Sequence, residues 1–158
     1  MQMNKFNNYL SFFAKFDMWD QVFPGVEINE NLVESKDFAV VFANLFKNAD
    51  ADGLEKKMVQ EFRMEIEIAK KIIFLLELSK MGVEDAFDMY RKRQQCGIAD
   101  ATILEWLKAT GDKNPALVKF IDYKPTVSSQ ELMAKGFKGK ELGEEIKRRE
   151  TEKFKQML

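Results

Sequence analysis

Apolar residues recur along this chain at steps of three and four, the spacing that lines one face of an α-helix, and alternation at steps of two is scarce. The first such run predicts a helix from about Asn4 to Phe16 with Phe6, Tyr9, Leu10 and Phe13 inward. Asp17 to Gly25 then turns the chain, anchored by Trp19 and Phe23 and broken at Pro24-Gly25. Asp37 to Asn48 has the cleanest two-sided pattern, with Phe38, Val41, Phe42, Leu45 and Phe46 on one side. Gly53 to Gln60 reads as a short basic helix. Glu65 to Lys80 is apolar around most of its circumference, which places it at the centre of a bundle.

Past Gly82 the pattern predicts a helix over Glu84 to Cys96 with Phe87 and Tyr90 inward and Arg91, Lys92 and Arg93 on the outer side. Ala99 to Thr110 buries Ile103, Trp106 and Leu107 and ends at Gly111. Asn114 caps a helix from Pro115 to Ile121, with proline at the first helical position, where its missing N–H costs nothing. Asp122 to Thr126 is an extended link. The expected fold is therefore all-α: a helical bundle body over 1–121 and a helix-turn-helix tail over 122–158. Phe42, Leu45, Ile72, Leu76, Ile103 and Trp106 are the expected core.

The tail is the most informative stretch. In SSQELMAKGFKGKELGEEIKRRE, Ser128 or Ser129 caps a helix with Leu132 and Met133 inward and Glu131 in the first turn, where the helix dipole favours an acid. Gly136 ends that helix in the left-handed conformation, and Gly139 opens a second one with Leu142 and Ile146 inward. Unpaired backbone N–H groups at that start, beside Lys138 and Lys140, make a seat for a phosphate. Gly143, one turn in, costs about 1 kcal/mol relative to alanine, so a close neighbour is expected there, either the paired helix or a nucleic-acid backbone. Beyond Ile146 the apolar stripe lapses until Phe154, so the end of the helix is expected to project into solvent.

Composition narrows the chemistry. With 46% hydrophobic residues and 14 phenylalanines, 158 residues suffice for a substantial core. Histidine is absent, which removes histidine-based acid-base catalysis, Ser-His and Cys-His nucleophilic pairs and the usual zinc sites. Asn48 to Gly53 begins like a calcium loop, but its twelfth place holds Val59 where a bidentate glutamate is needed, so it reads as an interhelical turn. No spacing singles out a carboxylate pair, and no catalytic or metal-binding residue is assigned. Cys96 stands alone, which with the absence of a secretory pattern fits a reducing cytoplasm. Ile66 to Leu78, the most apolar stretch, is interrupted by charges and too short to span a bilayer, so no membrane partner is expected. From Lys108 onward, 12 Lys and Arg stand against 8 Asp and Glu, while the preceding part is net acidic, so a polyanion partner is expected at the C-terminal end.

The tail pattern, an acidic-Leu step, a glycine, a short loop, then Gly-x-x-Leu-Gly-x-x-Ile, resembles the C-terminal tail of class II tRNA nucleotidyltransferases, the CCA-adding enzymes and related bacterial poly(A) polymerases. The opening NNYLSFFAKFDMWDQVFPGVEI is similar to the end of that family's neck, while the middle matches only as helical pattern. Gly136-Phe137-Lys138-Gly139 is one residue shorter than the loop of many members. The family's Gly-Ser with Asp-x-Asp, its Arg-Arg-Asp and its Glu-Asp-x-x-Arg motifs do not occur; Glu61-Phe62-Arg63 lacks their spacing. The resemblance thus implies a neck-end, body and tail that bind tRNA or another structured RNA and position it for 3′-end nucleotide addition. The catalytic head domain, acting in cis or in trans, would carry the magnesium. On this expectation the chain alone is non-catalytic, needs no cofactor, and contacts RNA through Lys135, Lys138, Gly139, Lys140, Gly143 and Arg148. Arg91 and Arg93 form a second contact. The competing expectation is a free-standing helical protein-interaction module.

Overall fold

A computed structural model describes the backbone of residues 3–158 and the side chains of residues 8–158. Among the described residues it contains ten α-helices, one 3-10 turn and no strand, so the fold is all-α. The chain forms two compact units. One comprises residues up to Glu77 together with Ile98–Asp112, the other Leu78–Gly97 with Lys113–Leu158. The tail segment 122–158 lies in the second unit along with 78–97 and 113–121.

In the first unit are α1 (Met3–Lys15), α2 (Trp19–Val22), α3 (Phe38–Leu45), α4 (Leu54–Gln60), α5 (Ile66–Leu78, whose last residue counts with the second unit) and α7 (Asp100–Thr110). Phe23 is its aromatic hub. Its ring meets Phe42, Phe46 and Phe62 edge-on at centroid distances of 5.2 to 6.2 Å and stacks on Trp19, which in turn meets Phe13. Such edge-on pairs set the positive ring edge against a negative face and add about 0.5 to 1.5 kcal/mol each to the burial of the rings. α3 packs on α7, and the Asp37 carboxylate serves both helices: Oδ1 caps α3 at the Ala39 N–H, and Oδ2 accepts from the Thr102 hydroxyl at 2.6 Å. The segment 26–37 has no helix. It is held by buried amides instead, Asn29 donating to the Asn44 carbonyl at 3.0 Å and Asn44 donating to the Asn31 carbonyl at 2.7 Å.

α5 is buried along Ala69, Ile72, Ile73, Phe74, Leu75, Leu76 and Leu78, as a pattern apolar around most of its circumference predicts. Leu45, Ile72, Leu76, Ile103 and Trp106 are buried as expected. Phe42, expected in the core, is only half-buried, with its ring against Phe23 and Phe46. On α1 the inward side is carried by Leu10, whereas Tyr9 is 53% exposed, contrary to expectation; the Phe6 side chain lies outside the described residues.

The second unit holds the 3-10 turn Val83–Asp85, α6 (Ala86–Cys96), α8 (Pro115–Asp122), α9 (Ser129–Ala134) and α10 (Gly139–Lys155), with α10 packed on α6, on the 3-10 turn and on α9. The Asn114 side chain caps α8 at the Ala116 N–H, 3.0 Å away, and Pro115 opens the helix. The buried stripe of α6 is Ala86, Met89, Arg93 and Cys96, rotated from the expected Phe87 and Tyr90, which are half-buried. Tyr123, from the link after α8, is the centre of this unit, its ring against Phe154 at 5.0 Å and Tyr90 at 5.8 Å.

Candidate functional site

The turn between α9 and α10 is built from local signals. Ser128 Oγ accepts from the Glu131 N–H at 3.3 Å and starts α9. The helix stops in a Schellman motif: Phe137 N–H donates to the Leu132 carbonyl and Gly136 N–H to the Met133 carbonyl, with Gly136 at φ +97°. Leu132 is buried, but Met133, expected inward, is 49% exposed, since six residues bury only one turn's face. Gly139, at φ +54°, opens α10 from a left-handed conformation that a side chain would strain.

What results is an uncapped helix start. Lys138 occupies the N-cap position and contributes no side-chain acceptor. The N–H groups of Gly139, Lys140 and Glu141 bond to no described residue, and the first helical bond runs from Leu142 N–H to the Lys138 carbonyl. Lys135, Lys138 and Lys140 are exposed around it. Lys140 has a 3.5 Å contact with Glu144, an exposed pair worth about 0.3 to 0.5 kcal/mol, whereas Lys135 and Lys138 make no ion pair with any described residue. Three lysines thus face two glutamates, Glu141 and Glu144, over 135–144, and the helix dipole adds partial positive charge.

The remaining expected contacts are placed differently. Gly143 faces open space: a Cβ there would meet nothing within 4 Å among the described residues, so none of them is the expected close neighbour. Arg148 is exposed but held by two carboxylates, bonding Glu145 through Nε and Nη2 and Glu152 through Nη1 at 2.6 Å. Arg149 also bonds Glu145, and the two guanidinium groups hold that carboxyl down at about 2, well below the usual carboxylate range. Arg91 is exposed. Arg93, expected on the outer side of α6, is 8% exposed and reaches the Ile121 carbonyl at 3.4 Å; burial lowers its pKa. The outward basic cluster on α6 therefore does not form.

The second half of α10 is not a solvent projection. Glu150 is 1% exposed, Thr151 and Phe154 are buried, and Lys147 and Lys155 pair with Asp88 and Glu84. Glu150 Oε2 accepts from the Tyr123 hydroxyl at 2.8 Å, and Oε1 accepts from the Thr126 N–H at 2.7 Å and the Val127 N–H. Desolvation, reinforced by the bond to Glu150, pushes the Tyr123 phenol up from its usual value. The signal for this was present in the spacing. Leu142, Ile146, Glu150 and Phe154 follow one another at steps of four, so Glu150 falls on the apolar stripe.

Among the described residues no group of three or more Cys, Asp or Glu side chains converges in a way that could hold a metal ion, and no helix is long and apolar enough to cross a membrane. Comparison with known protein families, with curated proteins and with solved structures finds no match. What the chain offers to a partner is read from its own surfaces. Besides the lysine turn, the first unit has an open apolar groove of about 580 Å³ along α1, lined by Asn8, Tyr9, Phe12 and Phe13.

Proposed function

We propose that the chain is an RNA-binding helical module that grips the phosphate backbone of a structured RNA at the α9–α10 turn. The observation that carries this reading is the uncapped start of α10, where three N–H groups without acceptors lie among Lys135, Lys138 and Lys140. A phosphate oxygen satisfies those donors, and the dipole and ammonium groups favour its charge. Arg148 and Arg93 have no part in this grip, the first because Glu145 and Glu152 occupy it, the second because it is buried. The resemblance of the tail to class II tRNA nucleotidyltransferases makes tRNA the RNA of choice, with nucleotide addition performed by a catalytic head domain outside this sequence.

The test is an anisotropy titration with tRNA at several salt concentrations. Changing both Lys138 and Lys140 to Ala should weaken binding and flatten the log-log salt slope by about one to two units, since fewer counterions are released. Unchanged affinity and slope would reduce the turn to a structural hairpin. A protein-docking role is the second reading, favoured by the α1 groove, where Tyr9 and Phe12 are each at least 50% exposed, and by the exposed Phe16 beside it, whose ring centroid lies 4.5 Å from that of Phe12. Binding through that groove should vary little with salt and fail in a Phe12→Ser variant.

A further inference from the structure

We propose that a cleft of the first unit binds a small zwitterion, a free α-amino acid with an apolar side chain. The cleft offers about 400 Å³ between the start of α3, α5 and α7, and its lining carries Lys36, Asp37, Lys71 and Glu105 beside Phe38 and Ile68. Ile68 and Lys71 stand three residues apart and so share a face of α5.

Hydrogen bonds fix the acidic side of the cleft. The Ser35 hydroxyl accepts from the Asp37 N–H at 3.0 Å and donates to Glu105 Oε2, which ties the segment before α3 to α7. Asp37 has both carboxylate oxygens engaged, Oδ1 by the Ala39 N–H and Oδ2 by the Thr102 hydroxyl. Since that carboxylate caps α3, the helix start is no anion seat of its own. Glu105 Oε1 accepts from no described residue.

The opposite charges in this lining do not neutralise one another. The ammonium groups of Lys36, exposed, and Lys71, half-buried, pair with no described residue, and Glu105 meets only the neutral Ser35 hydroxyl. An anion alone would be repelled by the two carboxylates and a cation alone by the two ammonium groups, whereas a ligand of both signs is attracted to each. Its carboxylate goes to Lys36 and Lys71, its ammonium group to Glu105 Oε1, and its side chain to Phe38 and Ile68. Few polar groups set in a partly apolar wall are the usual make-up of a small-ligand site. The cleft uses residues of the first unit alone and is independent of the phosphate reading of the α9–α10 turn.

Amide resonances of the full chain are followed as L-leucine is added to roughly 10 mM, beside leucinamide, which lacks the carboxylate, and N-acetyl-leucine, which lacks the ammonium group. L-leucine should shift residues 36–39, 68–71 and 105 on one saturable curve with a Kd of about 1 mM, and each analogue should bind about tenfold weaker or worse. Glu105→Gln keeps an acceptor for Ser35 and should weaken leucine binding by about tenfold. Lys36→Met alters an exposed side chain, should weaken it about fivefold, and decides the matter should the first variant fail to fold. No saturable shift with leucine, shifts centred on other residues, an analogue that binds as well as leucine, or unchanged affinity in Lys36→Met would each overturn the site.

Discussion

Tyr123 and Glu150, 27 residues apart, meet through a 2.8 Å hydrogen bond inside the second unit, and this bond ties the link after α8 to the last helix. Removing the carboxylate orphans three donors at once, whereas removing the phenol hydroxyl leaves Glu150 with two. Each buried group left without a partner costs about 1 to 3 kcal/mol. Glu150→Ala should therefore destabilise the chain by at least about 3 kcal/mol and Tyr123→Phe by about 1 to 2 kcal/mol, measured by urea unfolding. Equal losses would mean that the backbone bonds of Thr126 and Val127 contribute nothing.

α10 is held in the second unit more by Phe154 than by its ion pairs to α6 and the 3-10 turn. The side chains of Lys147 and Asp88, like those of Lys155 and Glu84, are about half exposed or more, and such pairs contribute roughly 0.2 to 1 kcal/mol. Phe154 is fully buried against Tyr123, and its truncation to Ala should cost about 3 to 5 kcal/mol. A double-mutant cycle on Lys147 and Asp88 should give a coupling below about 1 kcal/mol that shrinks with salt, and Phe154→Ala should shift the unfolding midpoint several times further.

Gly143 should be improvable. It is exposed in α10, its φ lies outside the left-handed region, and a methyl group there would touch nothing. Gly143→Ala should raise stability by about 0.5 to 1 kcal/mol through helix propensity and a less flexible unfolded chain. A loss in thermal denaturation would reveal a neighbour that the open surface does not show.

Glu145 gives the chain a defined acid response. Its folded pKa of about 2 lies below its ordinary value of 4.5. The unfolded chain therefore binds the proton first, and the contribution to stability is present above about pH 4.5 and disappears as pH falls towards 2. The melting-temperature difference between wild type and Glu145→Gln should be constant near neutrality and vanish towards pH 2. A difference that grows on acidification would contradict the pairing with Arg148 and Arg149.

Much of the candidate interface was legible in the residues, because helix starts and stops depend on neighbours within about four positions. Gly136, Gly139 and the flanking lysines lie where the pattern placed them, and of the two serines it offered Ser128 is the cap. The capture of Arg148 was legible too, since Glu145 and Glu152 stand three and four residues away, the distance at which side chains on one helix meet.

By itself the sequence determined the all-α class, the Asn114 cap, a cap at Ser128 or Ser129 and the glycine stops at Gly111 and Gly136, all products of local hydrogen bonding and 3.6-residue periodicity, but not α2, which forms inside the stretch that reads as a turn. Tertiary structure alone decided which apolar residues are covered: Tyr9 and Met133 stay exposed while Leu10 and Leu132 are buried. It also decided that Arg93 turns inward and that Glu150 is buried, since each depends on acceptors or donors 23 to 28 positions away. Periodicity marks the face on which a residue lies; whether a distant partner covers that face is set only when the chain folds back upon itself.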